Sequence, residues 1–405
     1  MHTLLEKLEG SEKASDSSQQ QSLFVIKVLY FCYYIVFGIY VTYINVYFHS
    51  IGLSGLQIGL INTISPLVAM ISSPLWGMLS DRLGNVRFLM MMAAGGAALS
   101  SLGFTVTNTY LSILLITAAY SLFASSIVPL LDSTTLLLLG TKREKYGLQR
   151  VWGTIGFMVA AWVFGLVFEQ IGLNVMFYWM AIVLCIFLII LVWLPVSRAK
   201  LNKPVLTGLI RLIRHPNWLI FSASLLFAGI ASSGLHIFIG ILIKEIGGSD
   251  ALVGKAFSLG VLTEIPIMLF SATLLRRFSP RLLLGTAYIL YIVRLFCFSI
   301  IPSVTWVLPL NLLHGVSFGL YWIASIAIAN EIAPDSLKGT SQGALMSIGY
   351  LASVLGGLLS GWIFDVFGVA SLFRIYCLFV VVALFLLWWI RDGFSHKRGL
   401  NSTAK

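Results

Sequence analysis

The feature that most constrains this chain is a recurring apolar run of about twenty residues, bounded each time by charged or turn-forming residues. Twelve such runs lie at about 23–48, 56–79, 87–105, 109–139, 147–169, 173–195, 217–243, 251–275, 282–301, 304–330, 340–364 and 367–390. At 1.5 Å rise per residue, a run of about twenty crosses the hydrocarbon core of a bilayer as one helix. Only 10% of the residues are charged and 59% are hydrophobic, where a soluble chain carries about 25% charged residues. The pattern predicts an all-α membrane protein with twelve transmembrane helices.

The charges say which way the runs point. Placing both termini in the cytoplasm puts Arg82, Arg87, Lys142, Arg143, Lys145, Arg198, Lys200, Lys203, Arg211, Arg214, Arg276, Arg277, Arg281, Lys338, Arg391, Lys397 and Arg398 on that side. The opposite loops keep Lys244 and Lys255. That excess predicts an N-in/C-in, multi-pass protein of the plasma or inner cell membrane. It also accounts for the net charge of +11 without nucleic acid, since the basic residues sit at the ends of runs rather than on one face. Cys32, Cys185, Cys297 and Cys377 all fall inside runs and read as small apolar side chains.

The chain divides in the middle. The polar segment 197–216, with Pro204 near its start and Pro216 at its end, reads as a cytoplasmic linker between a bundle at 23–196 and another at 217–390. Residues 1–22 and 391–405 read as cytoplasmic tails, the first Ser/Gln-rich and disordered. The halves repeat. GLVFEQIGL (165–173) returns as GWIFDVFGV (361–369), an offset of 196, and GTIGF (153–157) as MSIGY (346–350), an offset of 193. Arg82 and Arg87 return as Arg276 and Arg281, an offset of 194. Near-constant offsets at matching helices predict two pseudo-symmetric six-helix bundles. Gly55/Gly59 and Gly357/Gly361 have the small-xxx-small spacing that lets helices approach closely in lipid.

After the second run the chain reads Gly77-Met-Leu-Ser-Asp81-Arg82-Leu-Gly84-Asn-Val-Arg87. This resembles the G-x-L-x-D-R-x-G-x-[RK]-[RK] signature of the major facilitator superfamily, with Val86 where a basic residue is usual. With the repeat, the resemblance covers nearly the whole chain. It implies a transporter and gives Gly77, Asp81, Arg82, Gly84 and Arg87 a gating role, a cytoplasmic latch of charge-assisted contacts. A tight turn with ordinary positive-inside arginines is the plainer reading of the same residues. The segments Gly147–Phe157, Leu262–Pro266 and Asn311–Phe318 resemble the lactose-permease, nucleoside-symporter and phenylpropionate-permease branch.

Ionisable groups at bilayer depth cost about 2.5–3.5 kcal/mol each, so they mark partners or a wet cavity. Glu264, Arg294 and His314 lie about 18, 10 and 16 Å from the external side on the eighth, ninth and tenth runs, compatible depths for a proton-coupling cluster. The lactose-permease branch carries a glutamate, an arginine and a histidine on these helices; its further carboxylate, one turn past the histidine, is Phe318 here. Glu264 is therefore the expected proton carrier, against a static pair that only joins helices. In the first half, Asp132 and Arg150 sit on adjacent antiparallel runs where an ion pair can form, and the same resemblance makes them substrate contacts. Arg150 also reads as a snorkelling residue at a helix end. Pro129 predicts a kink beside Asp132. Asn45, Asn311, Trp152 and Trp322 are further candidates for substrate binding; the tryptophans read equally as core or interface. Tyr43, Tyr321 and His236 are weaker candidates, with His236 placed toward the external end of its run and hydrated there.

No Gly-rich phosphate loop, zinc-ligand spacing or nucleophile elbow appears, so neither an enzyme nor a cofactor is expected. The expectation is a secondary active transporter, a monomer with proton-coupled import of a small organic solute by alternating access. The resemblance implies a sugar, a nucleoside or an aromatic carboxylate. A proton-driven exporter of drugs or metabolites and a non-transporting membrane receptor are the alternatives.

Overall fold

The structure, a computed structural model, describes residues 2–194, 212, 215–334 and 337–390; of residues 2–18 and of Asp81 it describes the backbone alone. The 197–216 linker, apart from three of its residues, and the 391–405 tail therefore lie outside the described residues. Everything regular in the described chain is helical. In order these are α1 (His2–Ser50), α2 (Gly55–Leu83), α3 (Val86–Gly103), α4 (Tyr110–Leu139), α5 (Tyr146–Ile171) and α6 (Met176–Leu191), then α7 (Pro216–Glu245), α8 (Asp250–Leu269), α9 (Ser271–Arg277), α10 (Pro280–Ser299), α11 (Val307–Ile332) and α12 (Lys338–Trp389). Short 3₁₀ turns precede α5, α6 and α11.

Eleven of these helices are long and apolar enough to cross a membrane. The last is 52 residues long, more than twice what one crossing needs. It is interrupted at Gly368, whose φ of 76° and ψ of 171° are not helical. The two runs read from the sequence at 340–364 and 367–390 are its two parts. Gly172, which ends α5, holds nearly the same backbone, φ 86° and ψ 158°. These are the last glycines of GLVFEQIGL and GWIFDVFGV, so the repeat encodes a turn as well as letters. That region of backbone space is open essentially to glycine alone.

Packing gathers the chain into two compact units, Met1–Tyr47 with Leu67–Asn202, and Phe48–Pro66 with Lys203–Lys405. In the first, α3 packs on both α4 and α6. Its stripe of Ala93, Ala94, Ala97 and Ala98 is buried, and such small side chains let helix backbones close up without hydrophobic drive. In the second, α7 packs on α12, and α11 on both α8 and α10. Large apolar side chains such as Leu99, Leu269 and Trp388 face outward, Trp388 at 83% exposure. Surfaces of that kind suit lipid rather than water.

The start of α2 belongs to the second unit, and its glycines meet those of α12. A methyl on Gly357 would lie 2.7 Å from the Gly59 carbonyl, and Gly361 backs onto Gly55 in the same way. Asp365 accepts hydrogen bonds from the backbone N–H groups of Gly55 at 2.6 Å and Leu56 at 2.8 Å. Ser54 and Gln57 complete the same helix start as a reciprocal capping box, Gln57 N–H to Ser54 Oγ at 3.2 Å and Ser54 N–H to Gln57 Oε1 at 2.9 Å. A carboxylate there also answers the positive end of the α2 dipole.

Gly357→Ala should therefore lower stability by about 1–3 kcal/mol through overpacking. Gly349→Ala, on the same helix with nothing near its added methyl, should be neutral or gain up to about 1 kcal/mol. Thermal unfolding of the two variants in detergent checks the contrast.

Candidate functional site

Among the described residues each unit holds a polar cluster built around an arginine, buried in the second unit and half-buried in the first. In the second unit Arg294, on α10, is only 3% exposed. Its Nη1 donates to Nδ1 of His314 at 2.9 Å and its Nη2 donates to Oδ1 of Asn311 at 2.9 Å. His314 and Asn311 sit one turn apart on α11, so one helix face offers both acceptors. Asn311, also 3% exposed, spends its own Nδ2–H on the Val307 carbonyl at 3.0 Å. It reads here as the partner that fixes Arg294 rather than as a group waiting for solute. The guanidinium carbon stands 5.6 Å from the centre of the Phe298 ring, and Nε–H has no hydrogen-bond partner among the described residues.

Glu264 is half-buried on α8. Its backbone abuts Gly315, the neighbour of His314, and Gly260 one turn earlier lies under the His314 ring, 2.8 Å from Cδ2 for an added methyl. Arg294 and His314 are thus in direct contact, and Glu264 lies on the face of α8 that meets them. Phe318, one turn past His314, stacks on it with centroids 5.7 Å apart, and Trp322 stacks in turn on Phe318 at 6.2 Å. The candidate solute contact Trp322 ends an aromatic ladder.

His236, on α7, joins this cluster. Its ring is 5.1 Å from that of His314, and its Nδ1 lies 2.9 Å from the Ser232 carbonyl. The Ser232 hydroxyl in turn reaches the Tyr291 hydroxyl at 3.4 Å. His236, Arg294, Asn311 and His314 line a small cavity of about 10 Å³, closed by apolar side chains that include Ala256 and Phe257. The sequence reading placed His236 in water near the helix end; the structure packs it half-buried against the other two groups. The signal was its place one turn after Ser232, whose carbonyl takes its Nδ1.

The cluster in the first unit is held by tyrosines. Asp132 accepts from the Tyr30 hydroxyl at 2.5 Å, and Tyr30 accepts from Thr135 at 3.2 Å. Arg150 donates to the Tyr34 hydroxyl, with its guanidinium carbon 4.2 Å from the Tyr34 ring centre and 5.7 Å from that of Tyr30. The expected pairing of Asp132 with Arg150 is therefore relayed. Tyr30 takes the carboxylate, Tyr34 the guanidinium, and both stand on α1. Tyr146, at the start of α5, interacts with Asp132 as well. Sequence reasoning missed all three tyrosines: Tyr30 and Tyr34 sit on an apolar run, where hydroxylated aromatics look like lipid-facing or core residues, and Tyr146 falls in the charged turn before one. Asn45 is buried on the same helix, and Trp152 is 40% exposed. Tyr43 is fully buried with its hydroxyl on the Ala161 carbonyl, a packing role.

At the turn after α2, Gly77 is buried, Arg82 is exposed and Gly84 takes φ 63°. Asn85 then caps α3 by accepting from Phe88 N–H at 3.1 Å. Arg87 donates to the carbonyls of Val192 at 3.0 Å and Leu194 at 3.2 Å, just past the end of α6, where cations are favoured. Arg87 anchors its loop to a neighbouring helix end. The side chain of Asp81, on which the expected latch also depends, lies outside the described residues.

Eleven helices apolar enough to span a membrane, with arginines held among polar and aromatic partners inside them, define a polytopic membrane protein. The chain matches the family model described as the MFS_1 like family over residues 23–375, and it belongs to that family. Among curated proteins it is 28% identical to the maltose permease of Geobacillus stearothermophilus, covering 90% of this chain and 93% of that one. It is 24% identical to a probable 3-phenylpropionic acid transporter of Escherichia coli strain K12, covering 88% and 95%. Among solved structures, the nucleoside transporter NupG superposes with a TM-score of 0.82 over 91% of this chain and 98% of its own, at 17% identity. The family and these relatives make the chain a secondary transporter of the major facilitator type rather than an enzyme.

Removing a partner of Arg294 should be costly, because the charge stays buried. Asn311→Leu should destabilise by about 1.5–3 kcal/mol, measured as a lower unfolding midpoint in detergent. Trp152→Ala, at a partly exposed site, should stay within about 0.5 kcal/mol of the parent.

Proposed function

We propose that this protein is a proton-coupled importer of a small organic solute, working by alternating access between two six-helix bundles. In this reading the chain crosses a cell membrane twelve times, the two parts of α12 counting separately, with both termini in the cytoplasm. The bundles span 23–196 and 217–390. The observation that carries it is Arg294, nearly fully buried at membrane depth and bonded to His314 and Asn311. A charge so placed is expensive and marks an ion or substrate pathway.

The solute class comes from the relatives, whose names give a sugar, an aromatic acid and a nucleoside. Asp132, Arg150, Asn45 and Trp152 in one unit, with Trp322 in the other, are the side chains assigned to solute. Glu264, Arg294 and His314 are assigned to coupling. A carboxylate beside a guanidinium favours its ionised form, and burial favours the neutral one. A conformational change that trades one influence for the other loads and releases a proton. Gly77, Asp81, Arg82, Gly84 and Arg87 are assigned to the cytoplasmic gate.

The test is uptake of maltose, 3-phenylpropionate and a nucleoside into proteoliposomes holding a pH-sensitive dye. One of the three should accumulate under an inward proton gradient with matching proton entry. Glu264→Gln should cut accumulation at least tenfold and leave solute binding within about threefold. Accumulation only against an outward-directed driving force would make the protein an exporter. Binding without any flux would make it a receptor.

A further inference from the structure

The two histidines of the Arg294 cavity are held in opposite tautomers. A carbonyl oxygen only accepts, so in the 2.9 Å bond to Ser232 the proton is on Nδ1 of His236, and Nε2 keeps its lone pair. A guanidinium only donates, so Nδ1 of His314 is an acceptor in its 2.9 Å bond to Arg294, and its proton is on Nε2. While that bond lasts His314 stays neutral. A proton on Nδ1 would set two cationic donors against each other at hydrogen-bond distance. His236 meets no such obstacle: it can gain a proton on Nε2 and keep its bond to Ser232.

We propose that His236 is the proton-binding residue of this cavity, taking a proton on Nε2 while Arg294 holds His314 neutral. The step forms one N–H bond and turns an imidazole into an imidazolium; the proton comes from water and returns to it. The cavity, about 10 Å³, is at the lower limit for one water, and Arg294, whose Nε–H has no partner among the described residues, is one of its walls. The proposal rests on the proton-coupled reading above and changes which side chain is protonated.

The surroundings set when loading can happen. From α10, Arg294 opposes a second positive charge and Tyr291 presents a hydroxyl through Ser232. From α11, His314 and Asn311 are neutral. The α8 wall is apolar at Ala256 and Phe257, with Glu264 further along the face that meets His314. On α12, Ser360 and the Tyr376 ring lie against Gly234, two residues before His236, and the Tyr376 hydroxyl bonds Ser360. Loading is therefore favoured when a carboxylate offsets Arg294. Glu264 is the carboxylate on the α8 face that packs beside His314, and the carboxylate of an acidic solute would act in the same sense.

The experiment is a pH titration of the full chain, ¹⁵N-labelled at histidine and reconstituted in liposomes, followed by solid-state NMR without any solute. At high pH His236 should show a bare Nε2 and His314 a bare Nδ1. On acidification the bare Nε2 signal of His236 should be lost first, with the bare Nδ1 of His314 still present. His236→Asn should delete the first-titrating signal. Sequential ¹³C–¹⁵N correlations in the parent protein make the same assignment should the variant fail to fold. Loss of the His314 signal first, or a His236 signal that never titrates before the protein unfolds, overturns the proposal. The titration needs no transport. A negative result here leaves the uptake tests standing, and failed uptake leaves the order of protonation readable.

Discussion

A guanidinium cannot shed its charge in a protein, so wherever it is buried the surroundings must come to it. Arg294 makes this demand on three helices at once. Asn311 and His314 must share a face of α11, Phe298 must lie one turn along α10, and His236 on α7 must pack on His314. Slide α11 by one residue and both acceptors turn away. The register of these helices in the second unit follows from that one side chain more than from the surrounding apolar contacts, which any greasy residue of similar volume could supply.

The first unit solves the same problem with different chemistry. Arg150 lies over two tyrosine rings and bonds one hydroxyl, and Asp132 is bonded by the other. Opposite charges on α4 and α5 are thus kept near each other by α1 without the desolvated contact ion pair that costs so much to assemble in an apolar interior. Both clusters satisfy charge with neutral groups. That arrangement leaves electrostatic capacity for something that arrives carrying charge of its own.

How much of this was legible in the letters depends on range. Apolar length found the spanning helices, because backbone satisfaction in lipid admits only a few solutions. The sequence repeat found the paired turns, and the glycine spacing on α2 and α12 found a real close approach. Arg294 and His314 were found because charges inside apolar runs are rare enough to stand out. Tyr30, Tyr34 and Tyr146 did not stand out, since an aromatic hydroxyl looks the same whether it faces lipid or a carboxylate. His236 was visible but misplaced, as depth along a helix does not say which neighbour occupies that depth. The role of Asp365 was not legible: what it caps, the start of α2, lies 309 residues away in sequence and has no local signature.

Gly172 and Gly368 carry one more implication. Each break is written in a single codon, and the backbone angles there are open essentially to glycine alone, whatever solute the protein carries. Each of the two glycines thus sets a geometric condition on its own unit that no neighbouring side chain can relax.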